Sequence, residues 1–362
     1  MPIALLTTYL SDYRLPLYER LAARHDVEVL CYGGGERYAP AWFSDIDAQL
    51  ARASFPARRL NGIGEALALG RSHRAVIAPF AGGALLPAAY AGARRFRRPF
   101  VFWASIWHQP RSLAHALALP VTRHIFRHSD AVLAYGEHAR RFVARTRGHD
   151  DDIFVAPQSV EPELFDREVG ADEVAAFRAE HGLGAGPLVL YVGRLVTEKG
   201  VGVLADAWPR VTGDATLVVI GDGPLAERVA ALPRTRLLGP LPRPALPVAY
   251  RAARCGLLPS IPTPRFKEPW GLVCNEAMHQ GRPMITTTAV GAAAGGLVID
   301  GRTGLVVTPG DARALAAAID RLVTDDALAD RLGAAAQEAV SAYTFDAMAD
   351  AFDRALAAAG VS

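Results

Sequence analysis

Short apolar runs alternate with amphipathic segments along the whole chain, and this alternation restricts the fold more than any other feature. Runs at Ile3–Tyr9, Val27–Tyr32, Ala75–Phe80, Phe100–Trp107, Ala131–Tyr135 and Ile153–Ala156 are short, apolar and bounded by turn residues, which predicts strands. Segments such as Leu15–Arg24 and Leu113–Arg127 carry helical spacing between them. After a bridge over Glu161–Gly186, a second series predicts strands at Leu188–Val192, Thr216–Ile220, Arg236–Leu238, Gly256–Pro259, Met284–Thr288 and Leu305–Val307. Helices are expected between and after these, at Val201–Val211, Leu225–Ala231, Pro247–Ala253, Leu272–Gln280, Ala312–Val323, Ala327–Val340 and Phe345–Ala359. Strand–helix alternation implies parallel sheets covered on both faces. The expectation is an α/β chain of two Rossmann-like, doubly wound units, residues 1–165 and 166–342, followed by a terminal helix over 343–362. Ligands of such sheets bind outside the carboxyl ends of the strands, so two facing units would enclose a central cleft.

Composition narrows the class. A chain of 362 residues with 51% hydrophobic and only 21% charged residues has enough apolar material for two cores, which excludes a disordered chain. Cys31, Cys255 and Cys274 are odd in number and show no CxxC spacing, so reduced, buried thiols are expected rather than a disulfide frame or zinc site. Ala75–Ala93 is uncharged and followed by four arginines, but Pro79, Gly82, Gly83 and Pro87 divide it into strand, turn and helix instead of a membrane span. Met1–Leu10 lacks the basic start of a secretory signal, and a cytoplasmic protein is expected.

Charge is uneven. Residues 1–160 contain 20 arginines against 13 acids, while the whole chain has a net charge of only +2. The first half therefore favours an anionic partner: an anionic acceptor, or peripheral contact with the inner face of a membrane through Arg94–Arg98 or Arg140–Arg147. A solvated arginine face is the plain alternative. No nucleic-acid-binding motif accompanies it. Of 39 basic residues only Lys199 and Lys267 are lysines, and a lysine in so arginine-rich a chain suggests a need for a compact ammonium.

The stretch Arg265–Met278 concentrates chemistry. Pro269 holds its own φ and biases Glu268 toward extended geometry, so Glu268 should stand in a loop with its carboxylate projecting. Gly271 precedes a helix whose first-turn amides, including those of Leu272 and Val273, lack intrahelical partners and suit a phosphate. The spacing places Asn275, Glu276, His279 and Gln280 on the polar side of that helix. Taken alone, each glutamate reads equally as a solvated carboxylate.

Other motifs stand in order around that stretch: Tyr191-Val-Gly-Arg-Leu-Val-Thr-Glu-Lys-Gly200, Gly221-Asp-Gly-Pro224, Leu258-Pro-Ser260, Glu268 and Glu276 with seven residues between them, and Gly301-Arg-Thr-Gly-Leu-Val-Val307. Together they resemble the retaining glycosyltransferases of family 4, which have the GT-B architecture. The resemblance implies a metal-independent hexosyltransferase. It would move a sugar from a UDP- or GDP-linked donor to an acceptor hydroxyl with retention of configuration, the nucleotide sugar being a co-substrate and no cofactor being required. It implies that Arg194 and Lys199 hold the donor diphosphate, with the amides of Gly271, Leu272 and Val273. Glu276 would accept from the ribose hydroxyls, and Glu268 would contact the donor sugar near the reacting carbon. Fixed cations suit a diphosphate leaving group that gains charge as the glycosidic bond breaks. A helix-start ion pair with Glu198, or simple exposure to solvent, is the plain alternative for Arg194 and Lys199. The resemblance also implies that the final helix crosses back to the first unit.

The first unit matches less closely, because Thr7-Thr-Tyr-Leu-Ser-Asp-Tyr-Arg14 stands where many members carry a glycine pair. Thr8, Tyr9 and Arg14 are acceptor-side candidates, although Tyr9 and Tyr13 equally suit simple packing. His108 follows an apolar strand at a position where members often place a polar residue beside the donor sugar, which makes it the catalytic candidate of this unit, with Arg111 nearby. Asp45-Ile-Asp47 and Asp150-Asp-Asp152 have the Asp-x-Asp pattern of metal-dependent transferases, but both read as polar loops, and no metal is expected. An NAD(P)-dependent oxidoreductase is disfavoured because no G-x-G-x-x-G follows the first strand. A silent sugar-nucleotide-binding module is the non-enzymatic alternative.

Overall fold

In the computed structural model, residues 1–33, 46–109, 111 and 113–361 are described. The chain divides into two units, residues 1–158 with 345–362, and residues 159–344. The first division falls seven residues before the expected boundary. Glu161 pairs with Arg243 and the Phe165 carbonyl accepts from Gln280 Nε2, contacts that belong to the second unit.

The first unit holds a seven-stranded parallel sheet of β1 (Ile3–Thr7), β2 (Val27–Cys31), β3 (Ala57–Arg59), β4 (Ala75–Pro79), β5 (Phe100–Ala104), β6 (Ala131–Ala134) and β7 (Ile153–Val155). Its order is β3-β2-β1-β4-β5-β6-β7, so the winding reverses between β1 and β4. Alternate residues of each strand face opposite ways, and both faces are apolar. Ile3, Leu5, Val101 and Trp103 join one core, and Ala4, Leu6, Phe100 and Phe102 join the other. Strand β3 has no counterpart in the sequence reading. It is a three-residue edge strand, Ala-Arg-Arg, with no apolar alternation to betray it, and β2 supplies its register.

The terminal helix Phe345–Ala358 packs into this unit. Phe345, Met348, Phe352, Ala355 and Leu356 recur at helical spacing and are fully buried beside Leu17, Tyr18 and Leu21, with the Phe352 ring 5.1 Å from that of Trp103. Outside this stripe, Arg24 joins Asp350 and Asp353 at 2.7 and 2.8 Å.

The second unit holds six parallel strands: β8 (Leu188–Val192), β9 (Thr216–Ile220), β10 (Thr235–Gly239), β11 (Cys255–Leu258), β12 (Met284–Thr287) and β13 (Gly304–Val307). The order β10-β9-β8-β11-β12-β13 puts the reversal between β8 and β11. The helix expected over Val201–Val211 ends at Ala207 and tightens into a 3-10 turn over Trp208–Arg210, where Pro209 lacks the amide hydrogen that would continue it. All three thiols are free and buried; burial pushes Cys31 and Cys255 up to about 12, so both remain protonated at neutral pH. Among the described residues, no helix is long and apolar enough to cross a membrane. Ala75–Ala93 instead contributes β4 and part of the helix Leu85–Arg95.

Candidate functional site

The second unit gathers most of the singled-out residues at the carboxyl ends of β8 and β11, on either side of the strand-order reversal. This is where open α/β sheets bind ligands. The loop leaving β8 is packed backbone to backbone. A Cβ on Gly221 would sit 2.0 Å from the Gly193 carbonyl oxygen, and one on Gly223 would sit 2.7 Å from that of Leu195. The Gly221-Asp-Gly-Pro224 motif thus lets the β9 exit press against the β8 exit. Tyr191, kept protonated by burial, donates from its hydroxyl to the Arg194 carbonyl at 2.9 Å.

Next comes the 3-10 turn Thr197–Lys199, closed by Gly200 at φ +73°. A Cβ there would meet the Pro259 carbonyl oxygen at 1.8 Å, and the Ile261 amide donates to the Glu198 carbonyl at 3.1 Å. The turn is thereby fastened to the exit of β11. Across this junction Lys199 Nζ meets Glu268 Oε2 at 2.6 Å, and Ser260 Oγ donates to the same oxygen at 3.0 Å.

Glu268 was expected to project from its loop. It is instead 5% exposed, because its segment is laced to residues 290–292. Its carbonyl accepts from the Gly291 amide at 3.1 Å, the Trp270 carbonyl from the Ala292 amide at 2.8 Å, and a Cβ on Gly291 would collide with the Pro269 carbonyl. Neighbouring Lys267 is half-buried, and burial lowers the pKa of its ammonium.

Gly271, at φ +102°, starts the helix Leu272–His279, and no side chain caps that start, so the amides of Leu272 and Val273 face no side-chain acceptor there. The side of this helix that the spacing predicts as polar lies inside the unit rather than facing water. Asn275, Glu276, His279 and Gln280 are all buried, each among polar partners rather than water. Asn275 Oδ1 accepts from Trp270 Nε1 at 2.7 Å, Gln280 Nε2 donates to the Phe165 carbonyl at 2.6 Å, and His279 Nδ1 lies 3.5 Å from Asp166. Tyr250 donates to Glu276 Oε2 at 2.6 Å. Burial raises the Glu276 carboxyl above its ordinary value, while the Tyr250 hydrogen bond and the Arg243 guanidinium oppose the shift. Arg243 is itself clasped by both oxygens of Glu161, at 2.6 Å each. Tyr250 and Arg243 carry no motif signal. They reach Glu276 only through the fold.

Arg194 is looser. Its guanidinium is 3.7 Å from Glu198 and 41% exposed, a weak pair that leaves it free to turn toward a ligand. For Lys199 the expected plain alternative, a pair with Glu198, is replaced by the pair with Glu268.

In the first unit, Thr8, Tyr9 and Arg14 come together on a cavity of about 300 Å³ at the ends of β1, β4, β5 and β6. His108 lies half-buried in the loop after β5, and Arg111 is exposed; neither lines that cavity. Of the two Asp-x-Asp patterns, Asp45 lies outside the described residues and Asp47 takes Arg59 at 2.6 Å. Asp150 takes Arg140 at 3.0 Å, in the turn before β7. Of the arginines considered for a membrane surface, Arg94 is engaged by Asp130 at 2.9 Å and Arg140 by Glu137 at 2.8 Å.

Residues 186–325 match the family model described as Glycosyl transferases group 1. A D-inositol 3-phosphate glycosyltransferase from Xylanimonas cellulosilytica is 32% identical over 241 residues, covering 62% of this chain and 55% of that protein. One from Stackebrandtia nassauensis is 30% identical over 295 residues, covering 73% of this chain and 63% of that protein. The matches thus span less than two thirds of these relatives' lengths. Among solved structures, Anabaena HepE in complex with UDP superposes with a TM-score of 0.80 at 19% identity, covering 99% of this chain and 100% of that one. Sucrose-phosphate synthase from Thermosynechococcus elongatus superposes with a TM-score of 0.73 at 23% identity, covering 98% and 97%. The chain therefore has the two-unit GT-B fold, and Arg194, Lys199, Glu268 and Glu276 all lie within the segment that matches the Glycosyl transferases group 1 model.

Proposed function

We propose that the chain is a retaining glycosyltransferase of family 4 that moves a hexose from a nucleoside-diphosphate sugar to an acceptor hydroxyl without a metal ion. The observation that carries this reading is the Lys199–Glu268 ion pair beside the uncapped start of the Leu272–His279 helix. In it an ammonium, a carboxylate and outward amides share one sheet end. The donor diphosphate would take Arg194, Lys199 and the amides of Gly271, Leu272 and Val273, and Glu276 would accept from the ribose. As the glycosidic bond breaks, charge accumulates on the diphosphate, and fixed cations in a partly buried site stabilise that state more than water does. Glu268, held by Lys199, orients the sugar. It is not assigned the role of covalent nucleophile, a role that calls for a second carboxyl flanking the same bond.

HepE holds UDP and UDP-glucose in its complexes, so these are the first ligands to try here. Calorimetry with UDP, GDP, ADP and dTDP is expected to give binding to one of them. No binding by any would overturn the reading. Donor binding without hydrolysis or transfer across an acceptor panel would leave a silent binding module in its place. Transfer is expected to survive EDTA; loss on chelation with rescue by Mn²⁺ would contradict metal independence. The product's anomeric configuration, read by NMR, tests retention. His108 is proposed to act beside the donor sugar, and near-wild-type turnover in a folded His108→Ala variant would remove it from the mechanism.

A further inference from the structure

Among the described residues, Arg14 is a buried cation with no carboxylate paired to it. It is 6% exposed and lines the first unit's cavity of about 300 Å³, at the reversal between β1 and β4. Its guanidinium lies 5.1–5.3 Å from the ring centres of Tyr13, Trp103 and Tyr135. Its polar partners are Gln158 Oε1, the Met348 sulfur and the Tyr135 hydroxyl, none of them a carboxylate. Among the described residues no carboxylate lies within 4.0 Å of it, and the groups that raise its pKa against the cost of burial are Tyr135, Tyr13 and Tyr18. Burial raises Tyr18 and Tyr135 above their ordinary range, so neither supplies a phenolate at neutral pH.

A charge taken out of water costs free energy unless it is paired, and an apolar side chain would fill the same space at lower cost. Aromatic faces offset part of that cost, and they also fix the guanidinium's plane. Its fork then suits a planar or tetrahedral oxyanion. Ser105, at the end of β5, and Tyr13 add hydroxyl-bearing side chains to the same wall.

We propose that this cavity receives an oxyanion carried by the acceptor, a phosphate or a carboxylate, with Arg14 as its counter-charge. The proposal rests on the reading of the first unit as the acceptor side of a glycosyltransferase, and it specifies the acceptor's chemical class.

The test is calorimetric titration of the full chain with inorganic phosphate, glucose 6-phosphate, glucuronate and, as the neutral control, glucose. Wild type and Lys199→Ala are expected to bind at least one charged probe alike, Arg14→Gln to bind it roughly tenfold or more weakly, and glucose to give no heat. Binding of the phosphate probes identifies a phosphate acceptor, and binding of glucuronate alone a carboxylate. Absence of binding by every charged probe overturns the proposal, as does binding that survives Arg14→Gln or is lost only in Lys199→Ala. If near-UV dichroism shows Arg14→Gln unfolded, Ser105→Leu, which adds bulk to the cavity wall, is read instead. Unchanged charged-probe binding in that variant overturns the proposal. Failure of the donor reading is separate, because it appears as wild-type protein that binds no nucleoside diphosphate.

Discussion

Tyr250 and Glu276 meet at 2.6 Å inside the second unit, the tyrosine hydroxyl donating to Oε2 of a carboxylate that is 8% exposed. The two residues lie on consecutive helices, Leu246–Ala252 and Leu272–His279, with β11 between them. The hydrogen bond holds one of the two carboxylate oxygens in place. Hydrogen bonds to a charged group are worth about 1.5–3 kcal/mol. Glu276→Ala is therefore expected to weaken binding of the preferred nucleoside diphosphate by roughly ten- to a hundredfold. Tyr250→Phe, which loosens the carboxylate without removing it, should have a smaller effect in the same direction. Unchanged calorimetric affinity in Glu276→Ala would remove it from the donor site.

The raised Glu276 pKa predicts two opposite pH dependences. Well below the ordinary value of 4.5 the carboxyl is protonated in folded and unfolded chains alike, and its burial carries no charge penalty. Between that value and the raised folded one, the unfolded chain releases its proton first, so stability falls as pH rises, and the full penalty remains above the window. The ionised carboxylate is the better acceptor for hydroxyl donors, so nucleotide affinity should rise with pH over the same window. Glu276→Gln is expected to flatten both curves, measured by urea titration and calorimetry from pH about 4.5 to about 7. Slopes that persist in that variant would belong to another group.

Lys199 and Glu268 form a partly buried pair, 18% and 6% exposed at their side chains. Removing one member leaves the other charge poorly compensated. Lys199→Ala is expected to lower kcat/KM roughly 10²- to 10³-fold, the range found when a charge-stabilising donor is removed. Glu268→Gln keeps shape and loses charge. In a double-mutant cycle the two effects should fall short of additivity, and strict additivity would mean that the pair does not act as a unit.

Gly200 is the hinge on which Lys199 is placed. Alanine there combines a left-handed backbone, φ +73°, with a Cβ 1.8 Å from the Pro259 carbonyl oxygen. Gly200→Ala should lose about 2–4 kcal/mol of stability. It should also lose donor binding, because relieving the clash shifts either the turn that carries Lys199 or the Pro259 backbone beside Ser260, and both hold Glu268. Normal denaturation and normal binding together would refute this account of the turn.

Phe352 tests the terminal helix. It is fully buried against Trp103, and Phe352→Ala is expected to cost about 3–5 kcal/mol in chemical denaturation. A loss below about 1 kcal/mol would mean the helix contributes little to the first unit's core.

Periodicity and glycine chemistry alone determined a great deal about this protein. Strands β8 and β9 and the helix Leu15–Arg24 coincide with their sequence reading residue for residue, because apolar runs and helical spacing record which faces must leave water. The glycine-bearing motifs mark where backbones touch, as Gly221 and Gly200 do. What the sequence misjudged were quantities that depend on neighbours distant along the chain. Glu276 has the spacing of a solvated residue and is buried, because Tyr250 supplies the partner that water would have supplied. Glu268 follows the rule for a projecting loop residue but is buried because its segment is laced to residues 290–292, and there it meets Lys199, 69 positions away. Strand β3 has no pattern of its own and exists because β2 offers an edge. Burial and pairing of charge are properties of the packed sheet ends, so only the tertiary structure decided which polar groups meet there and which, like Arg14, lie buried with no carboxylate beside them among the described residues.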